Sequence, residues 1–263
     1  MLELYQFELS HYSEKARLIL DYKGLDYRKI EVTPGVGQIE LLQKSGSRQV
    51  PVLKDGSTYI ADSTEIAFYL ERKYPEMPIL PEDPLARGQT LLMEEWADES
   101  IGAKGRKALV GALNQNQYLR ASFLPQATPD PVKSIVSAIP GQLLDVLGTG
   151  VGFGGEAVKE ATKGIKQDLE ALCLILERQP YLTGDTPTLA DLSVAGLSMV
   201  LKFPEGSYLD IPASVKGKGI PGLADNSSFD TFFAWRDRLY SQYRKGSNTP
   251  LIDGSAPTTI SIE

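Results

Sequence analysis

Arg48-Gln49-Val50-Pro51-Val52-Leu53-Lys54-Asp55-Gly56-Ser57-Thr58-Tyr59-Ile60-Ala61-Asp62-Ser63 decides how the first third of this 263-residue chain folds. Val50-Pro51-Val52-Leu53-Lys54 and Thr58-Tyr59-Ile60 read as two short strands. Asp55-Gly56 between them tolerates the positive φ of a tight turn, which predicts a β-hairpin. Pro51 opens the first strand, where a missing N–H is tolerated at a sheet edge. An X–Pro bond can also be cis at a cost of only about 0.5–1 kcal/mol. A cis bond would turn the N–H and C=O of Val50 outward, free to pair with a peptide in strand fashion. A trans proline at an edge strand fits these residues equally well. Asp62 with Glu65 three residues later reads as a capping box, and Ser63 falls at the first helical position. The unpaired N–H groups of a helix start suit a carboxylate, and Asp62 could accept from an ammonium group. A plain helix cap is the alternative.

Working outward, residues 2–7 read as a strand, 12–23 as a helix closed by Gly24, 27–32 as a second strand, and 38–43 as a short helix. With the hairpin and a helix over 62–74, the order is βαβ-α-ββα, that of a thioredoxin-like domain. Where the first strand passes into the first helix, such domains hold C-x-x-C; this chain has Ser10-x-x-Ser13. The hydroxyls keep hydrogen-bonding capacity but cannot perform thiol–disulfide chemistry. By itself Ser10 also fits a simple N-cap.

Pro75, Pro78, Pro81 and Pro84 follow at a spacing of three and predict an extended linker, because proline continues neither a helix nor a central strand. Beyond it the patterns are helical, over 86–117, 156–177, 188–201 and 229–243. Residues 120–155 fit no pattern and read as an atypical insertion. Its Gly150-Val151-Gly152-Phe153-Gly154-Gly155 run follows no strand and lacks Gly-Lys-Ser/Thr, so it does not read as a phosphate loop. The tail over 246–263 lacks periodicity.

The formal net charge of −7 argues against nucleic-acid or anionic-membrane partners. No apolar run approaches the roughly 18 residues of a membrane span. Met1 leads straight into a strand pattern without a signal-peptide profile, which predicts a cytoplasmic protein. One cysteine, Cys173, excludes an intramolecular disulfide, and with one histidine it makes a metal site an unexpected outcome. Cys173 lies beside the stripe Ile165, Leu169, Leu172, Leu176 and reads as a small buried hydrophobe.

A thiol site, a peptide-backbone clamp and an amino-acid-end clamp in one small domain together describe glutathione. The pattern Ser10-x-x-Ser13-x-Lys15-x-Arg17, then Gln49-Val50-Pro51-Val52-Leu53, then Asp62-Ser63-x-x-Ile66-x-x-Tyr69-Leu70, resembles the amino-terminal domain of soluble glutathione transferases of the serine type. Tyr181-Leu182-Thr183-Gly184-Asp185-x-Pro187-Thr188-Leu189-Ala190-Asp191 resembles that family's carboxy-terminal folding motif, with Thr188 and Asp191 as a capping box.

The resemblance implies an α/β thioredoxin-like domain over 1–75, a proline-rich linker over 76–84 and an all-helical domain over 85–245. It implies glutathione as co-substrate, no metal, and a homodimer. Ser10 takes the catalytic position, with Tyr5 as the rival. Gln49, Val50, Pro51, Asp62 and Ser63 are the implied glutathione contacts. His11, Ser13 and Arg48 are further candidates, and Lys15 or Arg17 could hold a carboxylate. Trp96, Ser100, Lys104 and Lys107 are the residues expected to line the electrophile site. The implied activity is conjugation of glutathione to a small hydrophobic electrophile. The alternatives are a non-catalytic scaffold of the same fold, or a glutathione-dependent isomerase or dehalogenase.

Overall fold

The computed structural model describes residues 1–32, 36–116 and 154–246. The insertion expected over 120–155, including most of its glycine run, and the tail expected over 246–263 lie almost entirely outside the described residues.

Strands β1 (Leu2–Gln6), β2 (Tyr27–Glu31), β3 (Val52–Asp55) and β4 (Thr58–Ala61) form one sheet of order β2-β1-β3-β4. β2 runs parallel to β1, β3 antiparallel to it, and β4 antiparallel to β3. Helices α1 (His11–Tyr22), α2 (Val36–Ser45) and α3 (Ser63–Lys73) complete the expected thioredoxin-like order. Gly24 closes α1 with φ +68° and Gly56 turns the hairpin with φ +61°, conformations that glycine adopts without a Cβ penalty. Alternation along β1 divides its side chains between two cores. Leu2 and Leu4 enter the main core, while Tyr5 packs with Val32, Leu41 and Val52 on the α2 side.

The register places three chain segments at one end of the sheet. Tyr5 pairs with Val52 and Val52 with Ala61, so the exit of β1, the entry to β3 and the exit of β4 lie side by side. Ser10, Val50-Pro51 and Asp62-Ser63 follow or precede those ends by a few residues. Sheet pairing therefore gathers the three predicted clamp segments.

The proline-rich stretch is pinned to the first domain. The Glu71 carboxylate accepts from the N–H groups of Ile79 and Leu80 and from Lys23 Nζ, and both apolar side chains are buried. Asp83 then caps α4 (Pro84–Ala97), accepting from the Ala86 N–H at 2.9 Å, with proline in the first turn where its missing N–H costs nothing. The single helix expected over 86–117 is instead three segments: α4, a π-helical stretch (Asp98–Lys104) and α5 (Gly105–Gln115).

Helix α6 (Gly155–Leu176) buries Val158, Ala161, Ile165, Leu169 and Leu172, the spacing of one helix face. Cys173 is buried beside them and burial raises its thiol pKa, in keeping with an inert core residue. Helix α7 (Leu189–Leu197) is buried on every side and closes with a short 3₁₀ turn (Ser198–Val200), shorter than the expected 188–201. Its capping box is formed: the Thr188 N–H and hydroxyl both donate to Asp191, and Asp191 also accepts from the Leu182 N–H at 2.7 Å. Burial raises the Asp191 pKa to about 6 against those three donors. Helix α8 (Asp230–Tyr243) ends the described chain.

The two halves meet backbone to backbone. A Cβ placed on Gly196 of α7 would lie 2.6 Å from the Cα of Lys15 in α1. Only glycine permits that approach.

Candidate active site

Ser10 is the N-cap of α1, and its partly exposed Oγ accepts from the Ser13 N–H at 3.2 Å. A hydroxyl has one donor and two acceptor sites. The cap uses an acceptor, so the hydrogen is left to donate to a ligand. The first turn also supplies unpaired N–H groups and the positive end of the helix dipole.

His11 follows and is buried, its ring 4.4 Å from that of Tyr12. Burial, with the Arg106 charge adding to it, lowers its pKa to about 4, so the imidazole is neutral at pH 7. Among the described residues its Nε2 has no hydrogen-bond partner, and neither has the buried Ser13 Oγ. Tyr12 donates to the Asp98 carbonyl at 3.2 Å across the domain junction.

The Val50–Pro51 bond is cis. Val50 is half-buried and precedes the β3 ladder, which begins at Val52. The approach to it is held by Ser47, whose Oγ accepts from the Gln49 N–H at 3.0 Å and donates to the Gln49 carbonyl at 3.2 Å. Arg48 and Gln49 are exposed at the rim.

Asp62 takes φ +80° and caps α3, accepting from the N–H groups of Thr64 at 2.8 Å and Glu65 at 3.2 Å. A left-handed conformation is uncommon for a residue other than glycine, and such strain concentrates at functional positions. Ser63 beside it is buried, with an Oγ that has no partner among the described residues.

Lys15 and Arg17 do hold carboxylates, but those of this chain. Lys15 is fully buried, 2.5 Å from Glu94 and 2.8 Å from Asp98 of the helical half, and it donates to Thr64 at 3.0 Å. Thr64 in turn donates to Glu94 at 2.6 Å. Burial raises the Asp98 pKa, with the Lys15 charge opposing it. This network ties the start of α3 to α4. A second network lies further along α1. Glu14 is buried between Arg17 at 2.6 Å and Arg244 at 3.0 Å. Burial alone would raise the Glu14 pKa, but the two guanidinium charges outweigh it and lower it to about 2. Arg244 also pairs with Asp21 at 2.7 Å, and Arg17 with Glu8 at 3.0 Å.

Tyr5 packs 6.1 Å from Tyr59, and burial and that neighbour raise its pKa. Of the four residues expected at the electrophile site, Ser100 and Lys104 meet Asp168 of α6. Trp96 is half-buried against the main core and Lys107 is partly exposed. The face that the π-helical stretch and α5 turn towards the start of α1 carries Asp98, Gly102 and Arg106. A Cβ on Gly102 would lie 2.8 Å from the Tyr12 hydroxyl, so glycine admits the ring there. A separate open cavity of about 960 Å³ between α5 and α6 shares no residue with the three clamp segments.

Sequence reading missed Thr64, Glu94, Asp98 and Arg106. The spacing of Asp98, Gly102 and Arg106 by four was its only available trace. Among the described residues no group of His, Cys, Asp and Glu could hold a metal ion, and no helix is long and apolar enough to cross a membrane.

The comparisons agree with this architecture. Residues 4–78 match the family described as glutathione S-transferase, N-terminal domain. A zeta-class glutathione S-transferase from Euphorbia esula is 44% identical over 85 residues, 31% of this chain; the chain thus spans only 38% of that relative's length. Protein LigF from Sphingobium is 27% identical over 251 residues, covering 90% of this chain and 89% of LigF. A probable maleylacetoacetate isomerase from Caenorhabditis elegans is 23% identical over 198 residues, 74% of this chain and 76% of that one. The crystal structure of LigF, described as a β-etherase, superposes with a TM-score of 0.67 at 23% identity over 91% of this chain and 95% of that one, which shows a shared fold. Residues 4–78 are thus a glutathione S-transferase amino-terminal domain, and the chain as a whole shares its fold with LigF.

Proposed function

We propose that the protein is a glutathione transferase that joins the glutathione sulfur to a small hydrophobic electrophile. The observation that carries this reading is the Ser10 hydroxyl at the start of α1, capping with a lone pair and keeping its hydrogen to donate. A free thiol has a pKa near 8.5 and is mostly protonated at pH 7. A donated hydrogen bond and a helix N-terminus both favour the thiolate. Lowering the pKa by about two units corresponds to roughly 2.7 kcal/mol. The thiolate would attack an electrophilic carbon; the C–S bond forms, the bond to the leaving group breaks, and the leaving group departs with its electron pair. The thiol proton goes to solvent, and Ser10 stays protonated throughout.

In this reading Val50 offers its backbone to the cysteinyl residue of glutathione, with Gln49 and Pro51 shaping that wall and Arg48 at the glycyl end. Ser63 and Asp62 take the γ-glutamyl carboxylate and ammonium. A homodimer belongs to the same reading, supported by the exposed Leu85 and Leu92 on α4.

Purified protein should turn over a chlorodinitrobenzene or an isothiocyanate with glutathione. Ser10→Ala should lower kcat/KM about a hundredfold, the usual loss on removing one donor from a developing charge. Equal turnover by the variant would refute the assignment of Ser10. No turnover with measurable glutathione binding favours the isomerase or dehalogenase reading. Calorimetry showing no glutathione binding favours the scaffold reading. A second reading, displacement of an oxygen leaving group from an ether, is favoured by the likeness to LigF along nearly the whole chain. It uses the same thiolate and clamp, and differs in the group expelled.

A further inference from the structure

Arg106 sits one turn beyond Gly102, the glycine that admits the Tyr12 ring, and two turns beyond Asp98, whose carbonyl accepts from the Tyr12 hydroxyl. A spacing of four falls just short of one turn in the π-helical stretch and just beyond one in α5, so these residues share one face. That face looks onto His11-Tyr12, directly after Ser10. The Arg106 charge is felt at both His11 and Tyr12. Three other cations at this junction are committed: Lys15 to Glu94 and Asp98, Arg17 to Glu8 and Glu14, Arg244 to Glu14 and Asp21. Arg106 is exposed and forms no ion pair among the described residues. The nearby acids do not engage it: Asp98 is held by Lys15 and Thr64, Asp62 caps α3, and Glu99 makes no ion pair with it. A planar guanidinium with free donors, beside the neutral His11 imidazole, is suited to a carboxylate. Beside it, the Gly102 backbone acts on the buried His11 ring, whose Nε2 lacks a partner among the described residues.

We infer that Arg106 binds an anionic group, a carboxylate, carried by the electrophile, so the preferred substrate is an amphipathic acid rather than a wholly apolar molecule. The inference rests on the glutathione reading above and names the substrate class of that site.

The test uses two stable conjugates, S-benzylglutathione and S-(4-carboxybenzyl)glutathione, titrated by calorimetry into the full-length protein and into the Arg106→Gln and Arg106→Lys variants. The wild type should favour the carboxylated conjugate. Arg106→Gln should reduce the ratio of the two affinities about tenfold, with Arg106→Lys recovering part of it. An unchanged ratio in Arg106→Gln overturns the inference. So does equal weakening of both conjugates and of glutathione itself, which would assign Arg106 to a glutathione carboxylate. Binding of neither conjugate to the wild type removes the glutathione reading, and this inference with it. The far-ultraviolet circular dichroism of each variant distinguishes lost contact from lost fold.

Discussion

Helix α1 treats polar side chains in opposite ways along its length. In its body, Glu14, Lys15 and Arg17 are all buried and each is paired. In its first turn, His11 and Ser13 hide polar atoms without partners among the described residues, and Ser10 keeps an unused donor. Buried unsatisfied groups are rare, and they cluster where a ligand or a reaction completes them. The contrast teaches that the helix is clamped from behind by ion pairs to α4 and to the end of α8. Its leading turn can then stay incomplete without drifting.

The strongest way to break this contrast is to remove the charge at its centre. Glu14→Gln leaves Arg17 and Arg244 buried without their shared carboxylate and should cost about 3–5 kcal/mol, read from urea denaturation. A loss below about 1 kcal/mol would mean the clamp is not needed. Acid should expose the first turn next. His11 has a folded pKa of about 4 against about 6.5 unfolded, so its contribution is complete above pH 6.5 and is lost as pH falls towards 4. The difference in stability between the wild type and His11→Phe should therefore change by about 3 kcal/mol across that window. A flat difference would show that the imidazole is solvated.

Gly196→Ala tests the contact behind the clamp. Its new methyl would press on the Lys15 backbone and should cost about 1–3 kcal/mol, with glutathione affinity falling in parallel as α1 shifts. Stability lost with affinity intact would separate the back of the helix from its front. Thr188→Ala removes one half of the capping box on α7 and should cost about 1 kcal/mol without changing glutathione affinity, because it lies behind the contact and not at it. Thermal melts with a binding isotherm at each step decide both.

Features legible in the sequence were those encoded within a few residues. The hairpin around Asp55-Gly56, the Ser10 and Asp62 caps and the Thr188–Asp191 box each depend on neighbours three or four positions away. Pro51 could be placed at the entry to a strand, but its isomer could not, since the same residues fit both forms. The clamp was not legible. Lys15 and Arg17 read as able to hold a carboxylate, but the acid on Lys15, Glu94, lies 79 residues away, and Arg244, the second cation on Glu14, lies 230 residues away. Helix α1 carries too few apolar positions to announce that it is buried nearly all round, because its charges are neutralised by other elements. The face that the chain after the linker turns to α1 was not legible for a related reason. An unbroken helix over 86–117 assigns faces by one constant period, and the π-helical stretch changes that period midway.

That stretch makes α4 and α5 two dials on one shaft. Bonding from residue i to i+5 unwinds the rod relative to an α-helix, in which each added residue turns the chain by about 100°. What α4 presents to Lys15 and where α5 places Arg106 are consequently set separately. Deleting one residue between Asp98 and Lys104 would rotate Arg106 out of the cleft while Glu94 stayed on its lysine, retuning what enters without loosening what holds.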